Sequence, residues 1–412
     1  MPSSHPRRFL ARALPPLLLV PVVALSAAAY LFVSEGGQGG RLPLAQGSTG
    51  GTFHPIAGSF EADETALEDC DGDARCLEQA FGNLSFFQGP KRALVVFRER
   101  IEADPGIERN CHRIAHSIGA AALERFGGNV AATFARGSPT CVSGYYHGIL
   151  DRALLGVSSK RELGKAARGL CSAGLGRRRG FLDYQCRHGL GHGLMIQTGY
   201  DLPLVLSVCA RLGTGWDHKA CASGAFMENV DTRFGIRSPW LDDDDPTYPC
   251  ERVRARDRHS CFLRVSWRFL TSNGGDFSDA ALRCGRLGRW ETVCLRGLGR
   301  DAAEETRYAQ DEVLHRCALA ATGEGNCLLG AARTIANASG LRGIRPATTL
   351  CRRAPPSVRE DCFAGIGVVL GMLYPTDAAR RAACARVTVE HAAACTRAAS
   401  AEVDPSGRQA WG

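Results

Sequence analysis

Three short stretches set histidine beside cysteine: "CHRIAHSIG" (residues 111–119), "CVSGYYHG" (141–148) and "CRHGLGHG" (186–193). They contain His112, His116, His147, His188 and His192, five of the 11 histidines in the chain. Two of the stretches read H-x-x-x-H. On a helix, residues four apart share a face with Cβ atoms about 5–6 Å apart, so both imidazoles can reach one metal ion. His147 and His192 each lie six residues after their cysteine. If the helices stack in register, these two occupy equivalent places on neighbouring helices, and the five rings converge on one inner surface. A histidine-dominated site suits copper, iron or zinc. Copper or iron would support an oxidoreductase, and zinc would activate a bound water for hydrolysis. Two ions fit the same spacing, one per H-x-x-x-H pair, with His147 completing one of them.

The surroundings supply further candidates. The register position of His147 and His192 is taken in the next repeat by Met227, followed by Glu228. Met227 would favour copper if it reaches the site. Tyr145, Tyr146 and Glu228 are the candidates for catalytic roles, the tyrosines as hydrogen-bond donors or redox partners. Glu124, Asp151, Asp183 and Glu228 are the plausible carboxylates, too few for a carboxylate-bridged di-iron motif. Gly148, Gly189 and Gly193 directly follow His147, His188 and His192, leaving room beside the rings for an ion, water or substrate. Further along, the register position becomes Trp267, Arg300, Arg333 and Val368, so the ligand-capable face should fade.

Several chemistries are excluded. His112 is followed by Arg113 and His188 by Gly189, so neither pair is the H-E-x-x-H of zinc proteases. No C-x-x-C-H for covalent haem and no G-x-S-x-G elbow occur. Haem held non-covalently between two histidines stays open. The run "GIGVVLG" (365–371) follows no strand and reads as helix packing, so no nucleotide is expected.

The elements that must position the histidines are marked by cysteine. All 18 cysteines lie beyond residue 69 and fall into close pairs. In order these are Cys70 and Cys76, Cys111 and Cys141, Cys171 and Cys186, Cys209 and Cys221, Cys250 and Cys261, Cys284 and Cys294, Cys317 and Cys327, Cys351 and Cys362, and Cys384 and Cys395. From Cys186 onward the second members recur every 33 to 40 residues, the period of a helical-hairpin repeat. "LPLVLSVCARL" has helical spacing, "GTGWDHKA" is a polar loop, and "CASGAFMENV" starts a helix. Each unit then reads helix, cysteine, loop, cysteine, helix, with a disulfide stapling the turn. In the chain-entropy model such a staple stabilises by roughly 3 kcal/mol. Cys111 is the exception, because pairing with Cys141 spans a segment long enough for a helix of its own. Glycine usually stands three residues after the second cysteine, at Gly144, Gly189, Gly224, Gly297, Gly330 and Gly365. Its cost of about 1 kcal/mol against alanine implies a repeated reason, most simply the close approach of a neighbouring helix.

In period, paired cysteines and the C-x-x-G step, residues 170–400 resemble cysteine-rich Sel1-like and TPR-type solenoids. That resemblance implies a curved, all-α array of helical hairpins that binds partners, and no enzyme activity.

Arg7, Arg8 and Arg12 precede 20 uncharged residues, "LPPLLLVPVVALSAAAYLFV". This predicts a cytoplasmic N-terminus (1–12), a transmembrane signal anchor (13–33) and a flexible glycine-rich linker (34–60). A cleaved signal peptide is the alternative, since "ALSAAA" offers small residues to a peptidase. The His-rich first hairpins follow over 61–200, the Cys-paired repeats over 201–400 and a loose tail over 401–412. An even number of cysteines after an export segment reads as disulfides in a periplasmic or extracellular compartment. The acidic "LDDDDPTYP" (241–249) lacks the glycine and glutamate of an EF-hand and reads as a solvated insertion. The formal charge of +8 is spread along the chain as arginine, without a basic stripe or aromatic platform, so no nucleic-acid partner is expected. Three function classes emerge. One is a membrane-anchored metalloenzyme with the five histidines as ligands. Another is a non-catalytic metal- or haem-binding protein. The third is a stapled scaffold binding an envelope protein or peptide on its concave face.

Overall fold

Polar caps start the outer helices, and cysteines end them. Asp201 caps the helix Leu202–Cys209 through the amide of Leu204, and Asp276 caps Phe277–Gly285 through that of Asp279. Ser159 and Thr376 do the same for Lys160–Leu170 and Asp377–Val387. Each cap satisfies an amide that the first helical turn leaves without an intrahelical partner. A tight turn then leads into an inner helix, and a disulfide locks the turn. In this computed structural model, which describes residues 58–401 apart from 158, 173–179, 231–236, 339 and 375, every element is a helix.

The inner helices are α1 (Ala74–Gln88), α2 (Cys111–Arg125), α3 (Gly144–Ala153), α4 (Phe181–Gln197), α5 (Gly215–Val230), α6 (Val265–Ser272), α7 (Glu291–Glu305), α8 (Glu324–Ala338), α9 (Arg359–Leu373) and α10 (Ala392–Ala401). Consecutive members pack from α1 to α5 and again from α6 to α10. The short helix Ala255–Phe262 bridges the two runs, touching both α5 and α7. Helix α9 also touches α4, so the array curves until its later part meets its first. The repeated packing of hairpins agrees with the solenoid expectation. All described residues belong to one unit within Leu44–Gly412.

Nine disulfides close the turns, among them Cys111–Cys141, Cys171–Cys186 and Cys209–Cys221. They indicate an oxidising, extracytoplasmic setting. Their second cysteines sit deeper than the sequence suggests. Cys186 and Cys221 lie inside α4 and α5 rather than at the helix start, because those helices begin five or six residues earlier. The sulfurs therefore enter the core, where Cys186, Cys221, Cys294 and Cys327 are fully buried beside leucine and alanine.

The expected anchor (13–33) and most of the expected linker lie outside the described residues, as does nearly all of the tail. Among the described residues no helix is long and apolar enough to cross a membrane. In the 241–249 segment, Asp243 pairs with Arg237 and Arg268.

Candidate metal centre

Close backbone contact brings the histidine-bearing helices together. A Cβ on Gly148 of α3 would fall 1.9 Å from the carbonyl oxygen of His116 on α2. A Cβ on Gly224 of α5 would fall 1.9 Å from that of His188 on α4. The expectation that Gly148 leaves space for an ion is therefore corrected: the neighbouring main chain fills that space. The glycine lets the helices approach until their histidines meet.

All five rings are buried, His147 and His192 at 0% exposure and the others at 4–6%. Nitrogen atoms of His112, His116 and His147 lie within 4.8 Å of one another, and so do those of His147, His188 and His192. His147 belongs to both groups. Its ring stacks on that of His192, with centroids 4.1 Å apart.

The outer nitrogens are held by hydrogen bonds that fix the tautomers. His116 Nδ1 donates to Asp151 Oδ2 at 2.7 Å, and His192 Nδ1 to Glu228 Oε2 at 2.8 Å. His112 Nδ1 donates to the carbonyl of Cys141 at 2.8 Å. Tyr200 donates its hydroxyl to the other oxygen of Glu228 at 3.0 Å. A carboxylate or carbonyl behind a histidine is the usual support of a metal ligand, since it leaves Nε2 with a free lone pair. Between His112 and His116 those lone pairs face one another. His112 Nε2 and His116 Nε2 are 3.0 Å apart; in the other pair, at 3.3 Å, His188 has no hydrogen bond fixing Nδ1 and, without an ion, its Nε2–H can donate to His192 Nε2. Two bare nitrogens at such distances repel unless a cation or proton lies between them. Two nitrogens bound to one ion at 2.0–2.1 Å stand about 2.9–3.4 Å apart. Between His112 and His116, whose Nδ1 atoms already carry the ring protons, an added proton would create an imidazolium in the core, where burial disfavours charge. Burial holds the basicity of His147, His188 and His192 well below the ordinary histidine value, that of His188 at about 3. Such rings are neutral at physiological pH, the state a metal requires.

His147 is the most telling residue. Neither of its ring nitrogens has a hydrogen-bond partner, although the ring is fully buried. An imidazole with both nitrogens unsatisfied inside a protein is costly, and this one stands between two histidine pairs.

The remaining sequence candidates take other places. Glu228 supports His192 as described. Asp151, one of the plausible carboxylates, supports His116. Tyr145 donates its hydroxyl to the carbonyl of Thr133, and Tyr146 packs against Phe134 and Phe181. Glu124 pairs with Arg152, and Asp183 with Arg187. Met227 lines an adjoining cavity of about 110 Å³. His188 lines that same cavity. Arg300, Arg333 and Val368 line it too, from the same register position as Met227. Beyond Met227 this register position carries no further metal ligand, and Arg300 and Arg333 present guanidinium to the cavity instead. Sequence reasoning missed Tyr200 and the arginines. For Arg300 and Arg333 the register count that links His147 to His192 already held the signal.

No family model, curated protein or solved structure matches the chain, so the likeness to Sel1-like and TPR-type solenoids remains one of architecture alone. The chain is an all-helical, disulfide-rich protein whose histidine clusters can hold metal.

Proposed function

We propose that the chain is an extracytoplasmic metalloenzyme whose five histidines bind two ions, with His147 shared between them. The observation that carries this reading is the buried His147 ring, without a partner at either nitrogen and common to both histidine groups. To serve one ion at each nitrogen, His147 would give up its N–H proton to solvent and bridge as an imidazolate, and the pairs His112/His116 and His188/His192 would complete the two sets. Three protein ligands leave a coordination position open, the arrangement of catalytic rather than structural sites. The cavity beside His188 gives a reactant access to one set. Copper or iron would make the protein an oxidoreductase, and zinc a metal-assisted hydrolase.

Metal analysis of the purified protein tests this. Two ions per chain are expected, and His147→Ala should lose both. His188→Ala with His192→Ala should lose one. No bound metal after loading with copper, zinc or iron would defeat the reading. Visible absorption of the loaded protein then separates copper and iron from zinc.

A second reading draws on the burial of all five rings, none more than 6% exposed. Such a site also suits a protein that sequesters metal without catalysis. Exchange of bound ion with free chelator over minutes favours the enzyme, and exchange only on unfolding favours the store.

A further inference from the structure

The cavity beside His188 is strongly basic. Lys219, Arg264, Arg296, Arg300 and Arg333 line it, against Glu304 as its carboxylate. They come from α5, the turn before α6, α7 and α8, so the curvature of the array assembles the pocket. Some of this charge is already matched. Arg300 is held by Asp301 and by the carbonyl of Leu263, and Arg296 donates to Asn326. Arg264 differs. It is only 7% exposed, and its Nε has no hydrogen-bond partner. Burial and the nearby Arg300 depress its basicity to about 9, although Glu304 and Asp301 pull the other way. Arg333 forms no ion pair among the described residues. His259, on the same wall, has a buried Nδ1 without a partner. A buried guanidinium that is short of hydrogen-bond acceptors is costly unless an anion supplies them, and arginine suits carboxylate and phosphate oxygens in particular.

We infer that this cavity binds a small oxyanion, a carboxylate or phosphate compound, and holds it as a reactant against the histidine centre. Arg264 and Arg333 supply the counter-charge. His188, common to the cavity wall and to one histidine group, marks where the bound molecule meets the metal. The volume suits a small molecule or the anionic end of a larger one. The binding claim stands on the cavity alone; the assignment as reactant rests on the metal reading above.

Calorimetric titration of the full chain, metal-loaded and metal-stripped, with inorganic phosphate, sulfate and succinate at fixed ionic strength tests it. At least one of the three should bind saturably at one per chain, where chloride does not. Preference for succinate over the tetrahedral ions would identify a carboxylate reactant, and the reverse a phosphate one. Arg264→Met combined with Arg333→Met should weaken binding about tenfold or more, the loss expected for charged hydrogen bonds. Arg333→Met alone, at a partly exposed site, covers the case in which the double variant misfolds, and it should weaken binding as well. Absence of saturable binding by all three anions, or unchanged affinity in the arginine variants, overturns the inference. Metal binding without an anion response would defeat this inference alone. An anion response without metal binding would defeat the metal reading alone.

Discussion

Gly148 rests on the main chain of His116, so close that a Cβ would lie 1.9 Å from its carbonyl oxygen and 2.5 Å from its carbonyl carbon. Backbone atoms cannot swing aside as a flexible side chain can. Gly148→Ala must therefore push α2 and α3 apart, and overpacking of this kind costs about 1–3 kcal/mol or more. The separation would also draw His147 away from His112 and His116. The expected outcome is lower stability in denaturant melts and loss of at least one ion. Gly164→Ala is the control, because its Cβ would meet only the end of the Arg168 side chain at 3.6 Å. That change should be neutral, or stabilise the helix by up to about 1 kcal/mol. Equal effects from both variants would mean that this glycine contact does not position the histidines.

Asp151 and Glu228 hold different histidines, His116 and His192 respectively. Such outer partners typically contribute 10–100-fold to metal affinity. Asp151→Asn should weaken the ion bound by His112, His116 and His147, leaving the other nearly unchanged. Glu228→Gln should do the opposite. Competition titrations with a coloured chelator would resolve two steps in the wild type and show which one moves. A single step shifted equally by both variants would point to one ion instead of two.

How far the sequence reveals this arrangement depends on the level of structure. The cysteine pairs show the hairpins because a staple leaves its spacing in the chain. His112 with His116, and His188 with His192, are legible because each pair lies within one helix. The bond from Asp151 to His116 spans 35 residues, and that from Glu228 to His192 spans 36. Such contacts depend on helix rotation and tilt, which a one-dimensional pattern does not state. Tyr200 was hidden for the same reason, because it lies in a turn and reaches forward to Glu228 across 28 residues. The basic cavity was harder still, since its arginines sit among many ordinary surface arginines. Arg333 shares the register position of His147, but only curvature separates Arg264 from those.

His259 offers a test of burial through pH. Its basicity is lowered to about 3, first by desolvation and then by the nearby charges of Lys219, Arg333 and Arg296. In the unfolded chain the ring takes a proton near pH 6.5. Below that point the unfolded state binds a proton that the folded state refuses. Stability from this group is therefore complete above pH 6.5 and declines as the pH falls. From pH 7 to pH 5 the loss should reach about 2 kcal/mol, at 1.36 kcal/mol per pH unit. Asn has no such titration, so His259→Asn should gain that amount relative to the wild type over the same interval. Unfolding curves of both proteins at the two pH values measure the difference directly. A constant difference would show that the folded state protonates this ring as readily as water does.

The disulfide Cys111–Cys141 has a task that the later staples lack. Cys141 carries the carbonyl that orients His112, and Cys111 directly precedes His112. Cys141, Val142 and Ser143 all adopt left-handed backbone angles, with φ of 53°, 55° and 64°. Non-glycine residues pay roughly 1–2 kcal/mol each for that conformation, so three in succession need an external hold. The crosslink, together with the packing of α3, supplies it. Removing the pair as Cys111→Ser with Cys141→Ser should let the segment relax and turn its carbonyl away from His112. Metal content should then fall, along with stability. The comparison is Cys317→Ser with Cys327→Ser, whose crosslink closes a turn far along the array. That variant should lose stability in the usual range of about 2–4 kcal/mol for a lost disulfide, yet keep its full complement of ions at temperatures where it remains folded. Full metal content in both variants would show that the rings keep their places without the Cys141 strap.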